Sequence, residues 1–451
     1  MLAVLLASLT VCGCGSSYDN LAEGLPPPPA NVSTDRELPR REWQPVVEAA
    51  PNHHAVPEHT STLMFGQAVQ RVVTYSPAIK AAFVEIQARR GEELQASVKP
   101  NPELKVDIED FLGSSPYSGF QSSQETITVA QLIELGDKRV KRLRAARLDT
   151  TASEWDLETT RVQVIVQAAQ YFVDVLASQE RVTALRSTVA LSEKTRTAVE
   201  KRIKVGGTSP IELDRTNVST ARARAALKVE EERLKASRLQ LSALWGSPHS
   251  DFERAGGRLG NGTNVPPTDR ILAYVDSNPS VARWADEIGR RGAVLDVELA
   301  KSVRDFTIGG GVRRFEDTDS TALVVSVSTP LKLFDTNAGA ITAAEQRIEK
   351  AEHERNAARV AVTGSVAEAM SALAVAAARV RSLEREVLPA AESAYQKTQA
   401  GYEEARFDLL SVLDSQRTLT EVRLELVDAK ADFERAKVRV EALIGRELSE
   451  I

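Results

Sequence analysis

Few side chains in this sequence could do covalent or metal chemistry, and most of them lie near its start. Both cysteines, Cys12 and Cys14, stand there, so the body of the chain has no thiol for a disulfide or a metal site. Three of the five histidines, His53, His54 and His59, fall in a proline-rich stretch. Because that stretch lacks a scaffold to hold ligand geometry, we interpret it as a solvated linker rather than a metal site. We expect no metal site and no cofactor.

Cys14 stands in a context that indicates lipid attachment. Residues 1–13 form a short apolar run, which is typical of a secretory signal peptide. The run leads into Val-Cys-Gly-Cys, which resembles a bacterial lipobox and implies cleavage after Gly13 and acylation of Cys14. Acyl chains gain about 0.8 kcal/mol per buried methylene, so residues 14–60 are predicted to be a lipid-anchored, proline-rich tether. The alternative is an ordinary secretory signal followed by an incidental cysteine.

The bulk composition excludes several classes of protein. Of 451 residues, 27% are charged and 5% aromatic, and a formal net charge of -6 gives no basis for nucleic-acid binding. We find no run of about 18 apolar residues and so expect no transmembrane helix, which leaves strands as the means of crossing a membrane. No Walker-type phosphate loop occurs, and few histidines are left for acid–base catalysis, so we expect no enzyme.

The body divides near residue 255 into two halves of one design. We assign residues 61–255 and 256–451 to two repeats, each with the order helix, strand, strand, helix, helix. RLQLSALWG in the first half falls opposite RVRVEALIG in the second, and Leu-Gly-Asp ending at Asp137 falls opposite Leu-Phe-Asp ending at Asp335. The chain is therefore predicted to be mainly α-helical with a small β part.

The predicted helices are unusually long. Residues 137–205 contain no proline and no glycine, which gives a helix of roughly 100 Å at about 1.5 Å per residue. Residues 337–402 are similar, although Pro389 should bend or break the helix there. Apolar residues recur at intervals of three and four residues, so these helices must pack on other helices as in coiled coils. Short breaks precede residues 210–245 and 409–444, which are predicted to return antiparallel.

Alternating segments between the helices predict strands of membrane-crossing length. In one of them Leu323, Val325 and Val327 alternate with Ser326 and Ser328. Lengths of about 9–11 residues suit tilted strands in a bilayer, whereas the alternative is a soluble sheet with one face on a core. The absence of a predicted globular core favours the membrane. The predicted strands span about 102–112, 125–135, 305–315 and 322–333.

Four strands per chain are too few to close a membrane barrel, because the smallest such barrels have about eight. An open sheet edge in lipid would leave backbone groups unpaired. We therefore hypothesise a homotrimer, in which three chains share a twelve-stranded barrel that continues into a tube of helices with a water-filled bore.

Four segments resemble the TolC-type outer-membrane efflux protein family over roughly residues 62–446. They read AVQRVVTYSPAIKAA, QLIELGDKRVKR, STPLKLFDTNAGAI and GYEEARFDLLSVLDSQRTLTEVRLELVDAKADFERA. The second and third are similar to the branch linked to cobalt, zinc and cadmium resistance. The resemblance implies a trimeric channel in the outer membrane of a Gram-negative-type envelope. It also implies periplasmic helices that meet an adaptor and, through it, an inner-membrane pump of the resistance-nodulation-division type.

The same resemblance implies roles for the turns between the long helices. Phe407 stands where some members carry a basic residue that neighbouring Arg406 could replace, and Ser411 where some carry a second acid. An ordinary solvated carboxylate is the alternative for Asp414. Residues implied to form or link the pore constriction are Asp414, Tyr402 and Glu212. Tip residues implied to contact the adaptor are Gly206, Gly207, Thr208, Ser209, Pro210, Ala405, Arg406, Phe407 and Asp408.

Two questions stay open in the sequence. Basic residues crowd the start of the first long helix, where they form either a solvated face or an anchor on anionic lipid headgroups. They are Lys138, Arg139, Lys141, Arg142 and Arg144. The cargo is the second question: heavy-metal cations are implied by the resemblance, while drugs, solvents or secreted proteins are alternatives, as is a periplasmic coiled-coil adaptor without a pore.

Overall fold

A computed structural model describes residues 60–260 and 265–448. Its helices are α1 (Phe65–Tyr75), α2 (Pro77–Ser97), α3 (Lys138–Lys204), α4 (Ile211–Ala243), α5 (Thr268–Leu272), α6 (Pro279–Ala282), α7 (Trp284–Lys301), α8 (Ala338–Ser382), α9 (Leu388–Glu403) and α10 (Leu409–Ile444). Its strands are β1 (Thr60–Leu63), β2 (Glu103–Glu109), β3 (Gln124–Ile133), β4 (Phe252–Ala255), β5 (Phe306–Phe315) and β6 (Ser320–Ser328). The predicted signal peptide, Cys14 and the linker histidines lie outside the described residues.

Two helical hairpins dominate the chain. The first joins α3, which has 67 residues, to α4, and the second joins α9 to α10. Helix α3 runs without proline or glycine, as predicted, and spans roughly 100 Å at about 1.5 Å per residue. In the second half a π-helical turn, Leu383–Val387, separates α8 from α9, and Pro389 stands at the start of α9. The ring of Pro389 removes a backbone donor there, which explains the local change in hydrogen bonding.

A four-stranded antiparallel sheet has the order β2-β3-β5-β6. Each half of the chain contributes one hairpin, and β3 pairs with β5 from Gln124↔Phe315 to Ile133↔Phe306. Strand β2 stops at Glu109, before the predicted end, because Asp110 takes a positive φ of 57°. Strand β6 stops at Ser328 rather than near residue 333 because Pro330 follows and cannot donate to a ladder.

The starts of α3 and α8 share one backbone conformation. Asp137 and Asn337, which precede these helices, are both left-handed, with φ of 56° and 64°. Asp137 therefore shares its conformation with Asn337, two residues beyond the Asp335 that the sequence match places opposite it. Asp335 has a different role: its Oδ1 accepts a hydrogen bond of 2.9 Å from the backbone amide of Asn337.

A small parallel pairing of β1 with β4 lies beside the long helices. Thr60, the last residue of the predicted tether, pairs with Phe252. Nearby, the Asp251 carboxylate accepts from the Trp245 indole at 2.9 Å and forms an ion pair with Arg71 at 3.0 Å. These contacts fasten the entry of the chain to the end of α4.

Apolar side chains are buried between helices in three separate clusters. One gathers residues of α1, α3, α4 and the β1–β4 pair, and includes Phe172 and Leu241. A second packs α8 on α10 and includes Leu373 and Val440. The third lies at the hairpin ends around Tyr402. Much of the apolar stripe predicted for the long helices therefore faces other helices, as Val173 and Val380 do, whereas Val375 is 65% exposed.

One helical stretch of the described residues is long and apolar enough to cross a membrane by length and composition. It spans Ala338–Glu403, where a window of 18 residues has a mean hydropathy of 1.6. This corrects the expectation that no such window exists. Because Val366 and Leu373 lie in one buried cluster with Phe433 and Val440 of α10, we interpret the stretch as a helix of the bundle.

Candidate gate at the hairpin tips

The first tip, Val205–Pro210, reverses the chain between α3 and α4. Gly206 has a φ of 74°, which glycine adopts without strain. The Gly207 amide donates to the Arg202 carbonyl at 2.8 Å, and the Glu212 amide donates to the Ser209 carbonyl at 3.0 Å. These bonds satisfy the helix ends and hold Glu212 at the first turn of α4.

The second tip, Glu404–Asp408, is built around the Gly401 carbonyl of α9. The amides of Arg406 and Phe407 both donate to the Gly401 carbonyl, at 2.7 and 3.2 Å. Asp408 then caps α10, since its carboxylate accepts from the Ser411 amide at 3.1 Å. A hydrogen bond from the Ser411 hydroxyl, followed by this one from the Ser411 amide, lowers the pKa of Asp408. Ser411 thus serves the cap of α10.

Tyr402 and Glu212 join the two hairpins. The Tyr402 side chain is only 1% exposed, and its hydroxyl donates to Glu212 Oε2 at 2.8 Å. Burial, followed by the hydrogen bond to the carboxylate, raises the pKa of Tyr402 to about 12. The sequence-predicted pair is therefore brought into direct contact within one chain. A neutral tyrosine bound to a carboxylate is a strong link at any physiological pH.

Two residues of this site escaped the sequence analysis. Arg202, one turn before the first tip, lies over the Tyr402 ring with its guanidinium carbon 4.5 Å from the ring centroid. Gly401 lies where a Cβ atom would fall 2.2 Å from Phe407 Cδ2, so only glycine lets that ring pack there. A basic residue in the last turn of a helix is usually explained by the helix dipole, and a single glycine in a helix by chance. Neither pattern pointed to these contacts.

Asp414 is not part of this contact network. Asp414 lies on α10, and its side chain is 71% exposed. Its carboxylate forms an ion pair of 3.3 Å with Arg417, one turn away on the same helix. Arg406 forms an ion pair with Glu404 at 2.9 Å, within the second tip.

The basic residues after β3 are tied to neighbouring elements. Lys138 forms an ion pair with Asp305 at 2.6 Å, at the start of β5. Arg142 pairs with Glu134 at 2.8 Å and donates to the Ala96 carbonyl at 3.2 Å. These contacts join the base of the sheet to α2 and α3. The two interpretations of this cluster, a solvated face or a lipid anchor, did not include such a structural role.

The two faces of the four-stranded sheet differ sharply. Leu104, Val129, Gly310 and Val325 form one row across the sheet, and the apolar members of that row are exposed. The adjacent row on the opposite face begins with Lys105 and Thr128. On that polar face Arg313 donates to Thr126 Oγ1 at 2.9 Å. Between 60 and 448, among the described residues, no group of acidic, histidine or cysteine side chains could hold a metal ion.

Comparison with known proteins agrees with this architecture. The family model described as outer membrane efflux protein matches residues 68–247 and 309–446. The cobalt-zinc-cadmium resistance protein CzcC of Cupriavidus metallidurans is 31% identical over 368 residues, which cover 82% of this chain and 86% of that protein. The chain belongs to the outer membrane efflux protein family.

Two further similarities support the assignment. The nickel and cobalt resistance protein CnrC of Cupriavidus metallidurans is 25% identical over 312 residues, covering 69% of this chain and 74% of that protein. The crystal structure of the outer membrane protein VceC of Vibrio cholerae superposes with a TM-score of 0.68 at 16% identity, over 85% of this chain and 96% of that one. The predicted TolC-like, mainly α-helical fold is confirmed.

Membership settles the class of this outer membrane efflux protein. Proteins of the family are non-enzymatic outer-membrane ducts, so the expectation that the chain is not an enzyme is confirmed. Its location is the outer membrane, with the helical part in the periplasm.

The hydrogen bond between Tyr402 and Glu212 can be tested by titrating the Tyr402 hydroxyl. We expect Glu212→Gln to lower the pKa of Tyr402 below about 12, because the carboxylate charge opposes formation of the phenolate. The pKa of Tyr402 lies above the usual value of about 10, so its contribution to stability is full below pH about 10 and is lost toward pH 12.

Ultraviolet difference absorbance of the phenolate measures this pKa. Subtracting the signal of Tyr402→Phe isolates one tyrosine among the seven of the chain. An unchanged Tyr402 titration in Glu212→Gln would show that the hydrogen bond is absent in solution.

Proposed function

We propose that this protein is the passive exit duct of a tripartite efflux system, formed by a lipid-anchored homotrimer. The observation that carries the proposal is the four-stranded sheet, in which β2 and β6 are edges with a single partner each. A sheet edge in lipid leaves backbone groups unpaired, at several kcal/mol each. Pairing β2 of one copy with β6 of the next removes every edge and gives a barrel of twelve strands.

The side chains of the sheet suit such a barrel. Val325 and its row are apolar and exposed, as lipid contact requires, while Lys105, Thr126 and Arg313 share the other face. A polar lumen of that kind holds water. Below the sheet, the hairpins α3–α4 and α9–α10 of three copies would line the periplasmic part of the same duct.

The tips are proposed to close the duct and to meet the adaptor. In this proposal Asp414 of three copies forms a ring of carboxylates at the constriction, which attracts cations and repels its own members. Its exposure in a single chain leaves it available for that ring. Tyr402 and Glu212 hold the hairpins together in the closed arrangement, and residues 206–210 and 405–408 contact a periplasmic adaptor linked to an inner-membrane pump of the resistance-nodulation-division type.

We propose divalent heavy-metal cations as the cargo. The support is similarity to CzcC and CnrC, whose names state resistance to cobalt, zinc and cadmium and to nickel and cobalt. The duct itself performs no chemistry on these ions, and the energy for export comes from the pump.

Three measurements on the full chain test the proposal. Protein extracted in detergent from outer membranes should have the native mass of three chains, and it should conduct ions in planar bilayers. Cells that also carry a metal-type pump and adaptor should accumulate less cadmium, zinc or cobalt with this protein than without it. A monomer that conducts no ions would refute the duct, whereas export of drugs alone would refute the proposed cargo.

A further inference from the structure

Arg202 contacts both hairpin tips through one side chain. Its Nη2 donates to the Gly207 carbonyl at 3.1 Å, within the first tip. Its Nη1 donates to the Tyr402 carbonyl at 2.9 Å, where α9 approaches the second tip. The guanidinium also covers the Tyr402 ring at 4.5 Å. We propose that Arg202 is a positioning residue that fastens the two tips of one chain together, which rests on the proposed duct function.

The chemistry of arginine suits this place. A planar guanidinium directs its N–H groups along two fixed lines and can stack on an aromatic face at the same time. Arg202 donates one N–H group to each tip and stacks its planar face on the Tyr402 ring. A lysine would keep the charge above the ring but would lose the fork that reaches both carbonyls.

The link through Arg202 is independent of the Tyr402–Glu212 hydrogen bond. Arg202 donates to main-chain oxygens of both tips, and its contact with the Tyr402 side chain is with the ring face rather than the hydroxyl. The Tyr402 hydroxyl points instead to α4 and Glu212. Separation of the tips must therefore break two sets of contacts, and removing Arg202 should ease that separation even where Tyr402 and Glu212 are intact.

Arg202→Met, made in the full chain, removes the fork while keeping a flexible apolar stem. We expect the open fraction of single channels in planar bilayers to rise about tenfold, the factor that the loss of a charge-assisted hydrogen bond gives. Arg202→Lys should fall between this variant and the wild type. Arg196→Met is the matched control, because Arg196 pairs with Glu200 on its own helix at 3.5 Å and should leave the open fraction unchanged.

A distance measurement keeps the test independent of conduction. Nitroxide labels on Ser209→Cys and Arg406→Cys, in labelled chains diluted with unlabelled ones, report the separation of the tips within one chain. We expect Arg202→Met to lengthen and broaden that distance, Arg202→Lys to do so less, and Arg196→Met to leave it as in the wild type. Thermal unfolding followed by circular dichroism verifies that each variant is folded.

The outcomes separate this inference from the duct itself. If the wild type conducts but Arg202→Met neither raises the open fraction nor lengthens the distance between the labels, the inference is wrong and the duct stands. If the wild type never conducts, the duct is wrong, and the label distance alone then decides whether Arg202 fastens the tips. An equal effect of Arg202→Met and Arg196→Met would also overturn the inference.

Discussion

Val325→Arg is expected to abolish assembly of this protein in the outer membrane. Val325 lies in the middle of β6, is 79% exposed, and pairs with Gly310 in the apolar row of the sheet. An arginine facing lipid at the bilayer midplane costs about 2–4 kcal/mol in a membrane barrel. In the proposed trimer the charge would occur three times around one barrel, so the total cost would be of the order of 10 kcal/mol.

Val324→Arg is the matched control. Val324 is the preceding residue of the same strand and is also a valine, but its side chain belongs to the polar face, opposite Gly311. An arginine there would face water in the proposed lumen. We expect Val324→Arg to assemble at levels close to the wild type.

Membrane fractionation and native electrophoresis measure both variants. The expected result is loss of the trimer band and of outer-membrane protein for Val325→Arg alone. Equal loss in both variants would mean that β6 tolerates no arginine on either face. Equal assembly of both would mean that the apolar face does not contact lipid.

The second large effect is expected for Gly311→Ala. Gly311 lies in β5, between β3 and β6, and a Cβ atom there would fall 2.1 Å from the Ile127 carbonyl oxygen and 2.8 Å from Thr128 Cα. Both neighbours are backbone atoms of the adjacent strand, so a rotamer change cannot relieve the overlap. We expect Gly311→Ala to lower the free energy of unfolding by about 3 kcal/mol or more, as is typical of overpacked or strained sites.

Gly310→Ala is the control for this prediction. A Cβ atom at Gly310 meets no atom within 4 Å, although the residue is adjacent and in the same strand. Because alanine loses less backbone entropy than glycine on folding, Gly310→Ala should be neutral or stabilise by about 0.5–1 kcal/mol.

Thermal unfolding of the purified protein in detergent compares the two alanine variants. The midpoint should fall clearly for Gly311→Ala only. If the two midpoints agreed, the close approach of β5 to β3 would be disproved.

The sequence predicted the large elements because their signals are local. The absence of proline and glycine from residues 138–204 and the alternation in β6 need no knowledge of the rest of the fold. The ends of the elements were less predictable. Pro330 is a plain stop for β6, whereas the positive φ of Asp110 depends on the turn that follows β2.

Contacts between the two helical hairpins could not be predicted from local sequence patterns. Arg202 and Tyr402 are far apart in the chain, and no spacing within either helix predicts that one lies over the other. Tyr402 and Glu212 were predicted only through family resemblance, and their 2.8 Å hydrogen bond gives that pair a physical basis. Asp414 differs, since its proposed partners are the same residue in other copies and no single chain can bring them together.

The pairing of β3 with β5 has a consequence for biosynthesis. Gln124 meets Phe315 only after all of α3, α4 and α7 have been translated, so a chain emerging from the secretion machinery carries an unfinished sheet for a long time. Its exposed β3 edge is a template for aggregation during that interval. A periplasmic holding chaperone that covers this edge until β5 arrives should therefore raise the yield of folded protein.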